Sequence, residues 1–119
     1  MRGKPRRDGW AANNGTWRLL AGDIEIARLV VNGSNQPWLT ATVIPAAEFD
    51  HYRSLFDDEL VALDRLDADL PGHNAIYRRI REQLTFLHPD GRIVAEWLLH
   101  IDGDRAWWRW SMEPFSERR

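Results

Sequence analysis

Between Arg92 and Met112 two strand-like runs flank an Asp-Gly pair, and no other stretch constrains the fold as tightly. Asp-Gly suits a two-residue type I′ turn, whose central residues both need positive φ. With Asp102-Gly103 as the turn, Ile101 lies opposite Asp104 and the rest of the pairing follows. One face then sets Leu99 against Ala106, Trp97 against Trp108, Ala95 against Trp110 and Ile93 against Met112. The other sets His100 against Arg105, Leu98 against Trp107, Glu96 against Arg109 and Val94 against Ser111. The first face is wholly apolar, and a one-residue slip would destroy it.

A second hairpin is expected upstream. Thr16 to Leu20 and Asp23 to Val31 flank a turn at Ala21-Gly22, which places Leu19 opposite Ile24, Trp17 opposite Ile26 and Arg18 opposite Glu25. That alternation is what a half-buried antiparallel sheet requires. Residues 32–37 read as a loop, and Trp38 to Ile44 as a third strand rich in Thr, Val and Ile. From Pro45 to about Leu66, Phe49, Tyr52, Phe56, Leu60 and Leu63 recur at helical spacing, a helix of about 33 Å. Residues 67–72 break it, and a shorter helix from Asn74 to Gln83 buries Ile76, Ile80 and Tyr77. Leu84 to His88 is a strand, followed by a Pro89-Asp90-Gly91 turn.

The expected fold is therefore α+β, a six-stranded, mainly antiparallel sheet in the order β-β-β-α-α-β-β-β with two helices on one face. Residues 1–15 read as a disordered basic arm, 16–115 as one domain and 116–119 as a tail. The arm carries Arg2, Lys4, Arg6 and Arg7 against Asp8, whereas the remaining 12 Arg face 17 acids. A mildly acidic body argues against nucleic acid as the partner. Without cysteine, the chain can form no disulfide, thiolate nucleophile or Cys-based zinc site. No apolar leader precedes the domain and no apolar run is long enough to span a bilayer, so the cytoplasm is the expected compartment.

Three groups of residues stand out as candidate sites. Trp107, Leu98, Val94, Arg105 and Arg109 share the hairpin face opposite the tryptophan cluster, an aromatic and arginine composition typical of binding hot spots. Trp97, Trp108 and Trp110, with Tyr52 and with His100 at the mouth, would instead line a pocket between sheet and helices. His100, Asp102 and Asp104 are spaced superficially like a metal cluster, but the turn already accounts for both aspartates, and no metal or cofactor is expected.

Acidic residues from Asp57 to Asp69 and basic residues Arg78, Arg79 and Arg81 suggest ion pairing between the helices. The alternative for those arginines is nucleic-acid contact together with the arm. No nucleophile elbow or phosphate-cradling glycine loop is present, and nothing assembles a catalytic set.

The segments Trp17-Arg-Leu-Leu20, Pro37-Trp-Leu39, Leu98 to Asp104 and Ala106-Trp-Trp-Arg-Trp110 resemble uncharacterised small single-domain proteins of actinobacteria. The resemblance covers about residues 16–115 and implies one compact domain from a GC-rich source. It implies no activity, cofactor or functional residue. The sequence thus points to a non-catalytic protein-interaction module, an adaptor or immunity-type partner that could also pair with itself. The alternative is a small-molecule binder or enzyme using the Trp-lined pocket.

Overall fold

Alternating apolar residues and glycine-centred turns produce six strands. In the computed structural model, which describes residues 15–113, these are β1 (Thr16–Ala21), β2 (Ile24–Asn35), β3 (Trp38–Pro45), β4 (Thr85–Leu87), β5 (Glu96–Asp102) and β6 (Arg105–Ser111). Two helices, α1 (Asp50–Asp64) and α2 (Leu70–Gln83), lie between β3 and β4, and a single 3-10 turn (Ala47–Phe49) leads into α1. The strands form one sheet in the order β4-β1-β2-β3-β6-β5. Every pairing in it is antiparallel. The expected fold class is the observed one. Residues 1–14 of the basic arm, and the tail with its flank from residue 114, lie outside the described residues; Gly15, the arm's last residue, accepts from the Val31 N–H.

Both glycine hairpins turn one residue later than expected. Gly22 and Gly103 have φ of 62° and 64°, and among the described residues no non-glycine residue has positive φ. Each glycine is therefore the first central residue of its turn, the pattern of type II′, and the aspartate after it is the second. In the C-terminal hairpin Asp102 pairs with Arg105, Ile101 with Ala106, His100 with Trp107, Leu99 with Trp108, Leu98 with Arg109, Trp97 with Trp110 and Glu96 with Ser111. The expected register is wrong by two residues, a slip that keeps the paired side chains of β5 and β6 on their expected faces.

The N-terminal hairpin pairs Ala21 with Ile24 and Leu20 with Glu25, and a bulge then brings Leu19 opposite Ala27. The extra residue puts both Ile26 and Ala27 in the core. Arg18 and Glu25 still meet, 3.8 Å apart, despite the shifted register.

Other boundaries also move. Residues 32–35 belong to β2, which turns into β3 through a cis Gln36-Pro37 bond. A bulge between Val31 and Gly33 interrupts that ladder. The first helix is 15 residues long, shorter than expected. The second starts at Leu70 because Asp69 caps it, accepting a hydrogen bond from the Gly72 N–H at 3.0 Å. Pro71 then falls in the first turn, where its missing N–H costs nothing. Trp110 pairs with Trp97 and residues 92–95 leave the β5 ladder, so the expected Ala95–Trp110 and Ile93–Met112 pairs do not form; Ile93 bridges Leu87 instead.

That bridge shows how the sheet curls. On a flat sheet β1 and β6 would lie about 14 Å apart, three strand spacings. Yet Trp17 of β1 meets Trp108 and Trp110 of β6 with ring centroids 5.3 and 5.1 Å apart. The two edges approach each other through Leu87 and Ile93, and the Val94 N–H donates to the Phe86 carbonyl. Trp17, Phe86, Trp97 and Trp108 fill the enclosed face together with Leu19, Leu29 and Leu99. Among the described residues His88 Nε2 and Trp108 Nε1 lack a hydrogen-bond partner. Both rings lie against Trp17, where aromatic faces are the neighbouring electron-rich groups.

Candidate functional site

The helical pair brings together three polar residues that are far apart in sequence. Glu59 lies three residues after Phe56 on the buried face of α1 and is fully enclosed. An ionised carboxylate in such surroundings is costly unless hydrogen-bonded. Here one oxygen, Oε2, lies 2.6 Å from His73 Nε2 of α2, and both oxygens lie 2.9 Å from His100 Nδ1 of β5. A carboxylate can only accept, so each imidazole presents an N–H to it. His73 and His100 are 6% and 2% exposed, making this a buried His–Glu–His cluster that pins α1 to both of its neighbours.

Tyr77, one turn after His73, stacks on that imidazole with nearly parallel rings. Its hydroxyl oxygen accepts from the Leu99 N–H at 2.5 Å, satisfying one donor on the outer edge of β5. Burial pushes the Tyr77 hydroxyl well above the ordinary tyrosine range; the Leu99 N–H opposes this, and the Glu59 charge reinforces it.

His100 connects this cluster to the outer sheet face. Its ring lies 5.3 Å from that of Trp107 on β6 and 5.6 Å from that of Trp38 on β3. Both contacts with Glu59 are made by Nδ1, which leaves Nε2 as the ring nitrogen away from the carboxylate. Trp107 also borders an open depression of about 370 Å³ with Asn32, Thr40, Ala41, Arg105 and Ala106. Its polar wall is held in place internally: Thr40 donates to Asn32 Oδ1 at 2.8 Å, and Asn32 donates to Thr42 at 3.0 Å. Arg105 is exposed, with Asp102 at 3.9 Å.

Of the expected outer-face residues, Trp107 and Leu98 are half-buried, and Arg105 and Arg109 are exposed. Val94 is the correction. It is 2% exposed and belongs to the core, because residues 92–94 turn toward β4 rather than continuing β5. Of the residues expected to line an inner pocket, Trp97 and Trp108 pack on the Phe86 ring. Trp97 and Trp108 are buried in the core, with Trp110 and Tyr52 packed against it. His100 is on the opposite face of β5 and does not stand at that cluster's mouth.

Asp102 and Asp104 are exposed turn residues, separated from buried His100. Among the described residues no group of three or more His, Asp or Glu is disposed to hold a metal ion. Arg81 pairs not with α1 but with Glu96 at 3.0 Å, and it also donates to the Ala95 carbonyl.

Sequence reasoning missed Trp38 as part of the outer face and Glu59 and His73 as partners. One signal was available: an acidic residue three places after Phe56 and seven after Tyr52 sits on an apolar helical stripe.

Fold and site together define an α+β domain whose curled antiparallel sheet carries an aromatic outer face backed by a buried His–Glu–His cluster. No family model, curated protein or solved structure matches the chain.

Proposed function

We propose that this protein is a non-catalytic interaction module, of the adaptor or immunity-partner type, that engages another protein through the outer sheet face around Trp107. The observation that carries this reading is the division of the tryptophans. Trp17, Trp97 and Trp108 fill the core, whereas Trp107 is held half-buried beside an open depression flanked by Arg105. An aromatic anchor beside arginine and fixed polar groups is the composition of a hot spot. Leu98, Arg109 and Trp38 extend the face. Pairing of two copies through it is a variant of the same reading, since an isologous contact hides the same side chains.

No helix among the described residues is long and apolar enough to cross a membrane. The absence of cysteine suits a reducing compartment, and we place the protein in the cytoplasm. A small-molecule reading would now have to use the outer depression, because rings occupy the inner cluster.

The test is capture with folded wild-type and Trp107→Ala baits, followed by calorimetry with the purified partner and sedimentation of the protein alone. A partner, or a second copy, bound about 30-fold more weakly by the variant supports the reading; that corresponds to a hot-spot loss of about 2 kcal/mol. Equal affinity for both baits, or no partner and no self-association, overturns it.

A further inference from the structure

We infer that Glu59 is a positioning residue for the outer face: its carboxylate fixes the imidazole on which Trp38 and Trp107 rest, and through His73 it links their placement to the packing of α2. This deepens the interaction reading above and rests on it for its purpose.

The chain of contact is continuous and every link is short. His73 of α2 meets Glu59 of α1 at 2.6 Å, Glu59 meets His100 of β5 at 2.9 Å, and the His100 ring packs against both indoles. Each link constrains the next in a definite way. The carboxylate accepts from Nδ1 of His100 through both oxygens, which fixes the plane of the imidazole about its Cβ–Cγ bond. That plane is a surface shared by the two indoles, tilted 35° and 41° to it. An imidazole free to rotate would present its edge instead of that surface, and both indoles would lose their seat.

The second tether, His73, sets where the carboxylate itself sits. Tyr77 stacks on His73 and holds the Leu99 N–H on the same strand as His100, so β5 is held at two adjacent residues, Leu99 by α2 directly and His100 by α2 through Glu59 of α1. A simple structural role for Glu59 would need no such chain, because an apolar residue could fill the same space without burying a charge. Coupling of this kind is reciprocal. A partner seated on Trp107 is felt at α2, and loosening of α2 is felt at Trp107.

The seven tryptophans provide the reporters. Indole N–H resonances of the wild-type protein, assigned by single Trp→Phe substitutions, are compared with those of Glu59→Leu, Glu59→Gln and His73→Phe. In Glu59→Leu the Trp38 and Trp107 signals shift and broaden while Trp17 and Trp108 stay in place. Glu59→Gln restores them, because its amide oxygen accepts from His100 Nδ1 and its NH2 donates to His73 Nε2 once that ring takes the tautomer protonated at Nδ1.

His73→Phe touches neither indole and keeps an aromatic ring on Tyr77, yet it moves the Trp107 signal. It is the deciding variant if Glu59→Leu fails to fold. Unmoved Trp38 and Trp107 signals in His73→Phe, or equal displacement of all indoles, overturn the inference. The two readings fail separately. A partner indifferent to Trp107→Ala removes the interaction reading and leaves the linkage, whereas unmoved indoles remove the linkage and leave the interaction reading.

Discussion

Tyr77 shows how one buried hydroxyl closes several accounts at once. It meets the Leu99 N–H that no strand satisfies, supports His73, and packs edge-on against Trp97. Replacement by Phe leaves a buried N–H unpaired and should cost about 1–3 kcal/mol in urea unfolding. It should also change the alkaline limb of the stability curve. Because burial raises the Tyr77 pKa, the folded state keeps this proton after the unfolded chain has lost it. The stabilisation is complete below the unfolded value near 10 and is lost as pH rises from there through the raised folded value. Wild type should therefore lose stability more steeply than Tyr77→Phe above about pH 10, as read by urea midpoints across that range. Equal slopes would show that Tyr77 ionises as freely in the fold as outside it.

At this scale the core tryptophans were legible as apolar positions of alternating strands. The cluster was not, because 14 residues separate Glu59 from His73 and 41 separate it from His100. Helical periodicity marked the stripe that Glu59 shares with Phe56, but composition assigned it to an acidic solvent face.

The elements teach a different lesson. Strand existence and chain order followed from alternation, but Ile24 and Ile93, expected on apolar faces, are exposed, Val94 is buried, and both glycine turns were placed one residue early. Alternation has a period of two, so it cannot distinguish a hairpin from one slipped by two residues; only backbone stereochemistry at the turn can. Placing glycine second demands positive φ at Ala21 or Asp102, whereas placing it first demands it of glycine alone. The N-terminal hairpin adds a bulge at Leu19/Leu20 that no period reveals, and only Ile26 followed by Ala27, two adjacent apolar residues, hints at it.

The β2–β3 hairpin is interrupted in the same way at Asn32. There a Cβ on Gly33 would lie 2.9 Å from Thr40 Oγ1, the hydroxyl that donates to Asn32. Gly33→Ala should accordingly cost about 1 kcal/mol by displacing that hydroxyl. In a Thr40→Ala background the same change should cost less, giving a coupling energy of about 0.5 kcal/mol or more in a double-mutant cycle. Strict additivity would mean that the strain lies elsewhere.

For the molecule as a whole, Trp17 and Trp107 predict opposite behaviour. Trp17 touches Phe86 of β4 on one side and Trp108 and Trp110 of β6 on the other, joining strands from both ends of the sheet. Trp17→Ala should cost about 3–5 kcal/mol, a large share of the 5–15 kcal/mol that holds a typical domain together. Trp107→Ala, on the outer face, should cost about 1 kcal/mol or less and leave the unfolding transition cooperative. Thermal and urea unfolding of both variants checks this; similar losses would mean that the outer face is part of the core.

The curl of the sheet has a further consequence for how another chain can approach. β4 is three residues long and its last residue, Leu87, is bridged by Ile93, while on β5 the Leu99 N–H is held by Tyr77 and the nearby Ala95 carbonyl by Arg81. Main-chain groups on both edges are thus already engaged, which hinders the addition of a strand. Recognition by β-augmentation is thereby disfavoured, as is the edge-to-edge stacking that seeds fibrils. Encounters fall instead to side chains on a closed surface, where a single substitution can change the choice of partner without changing the fold.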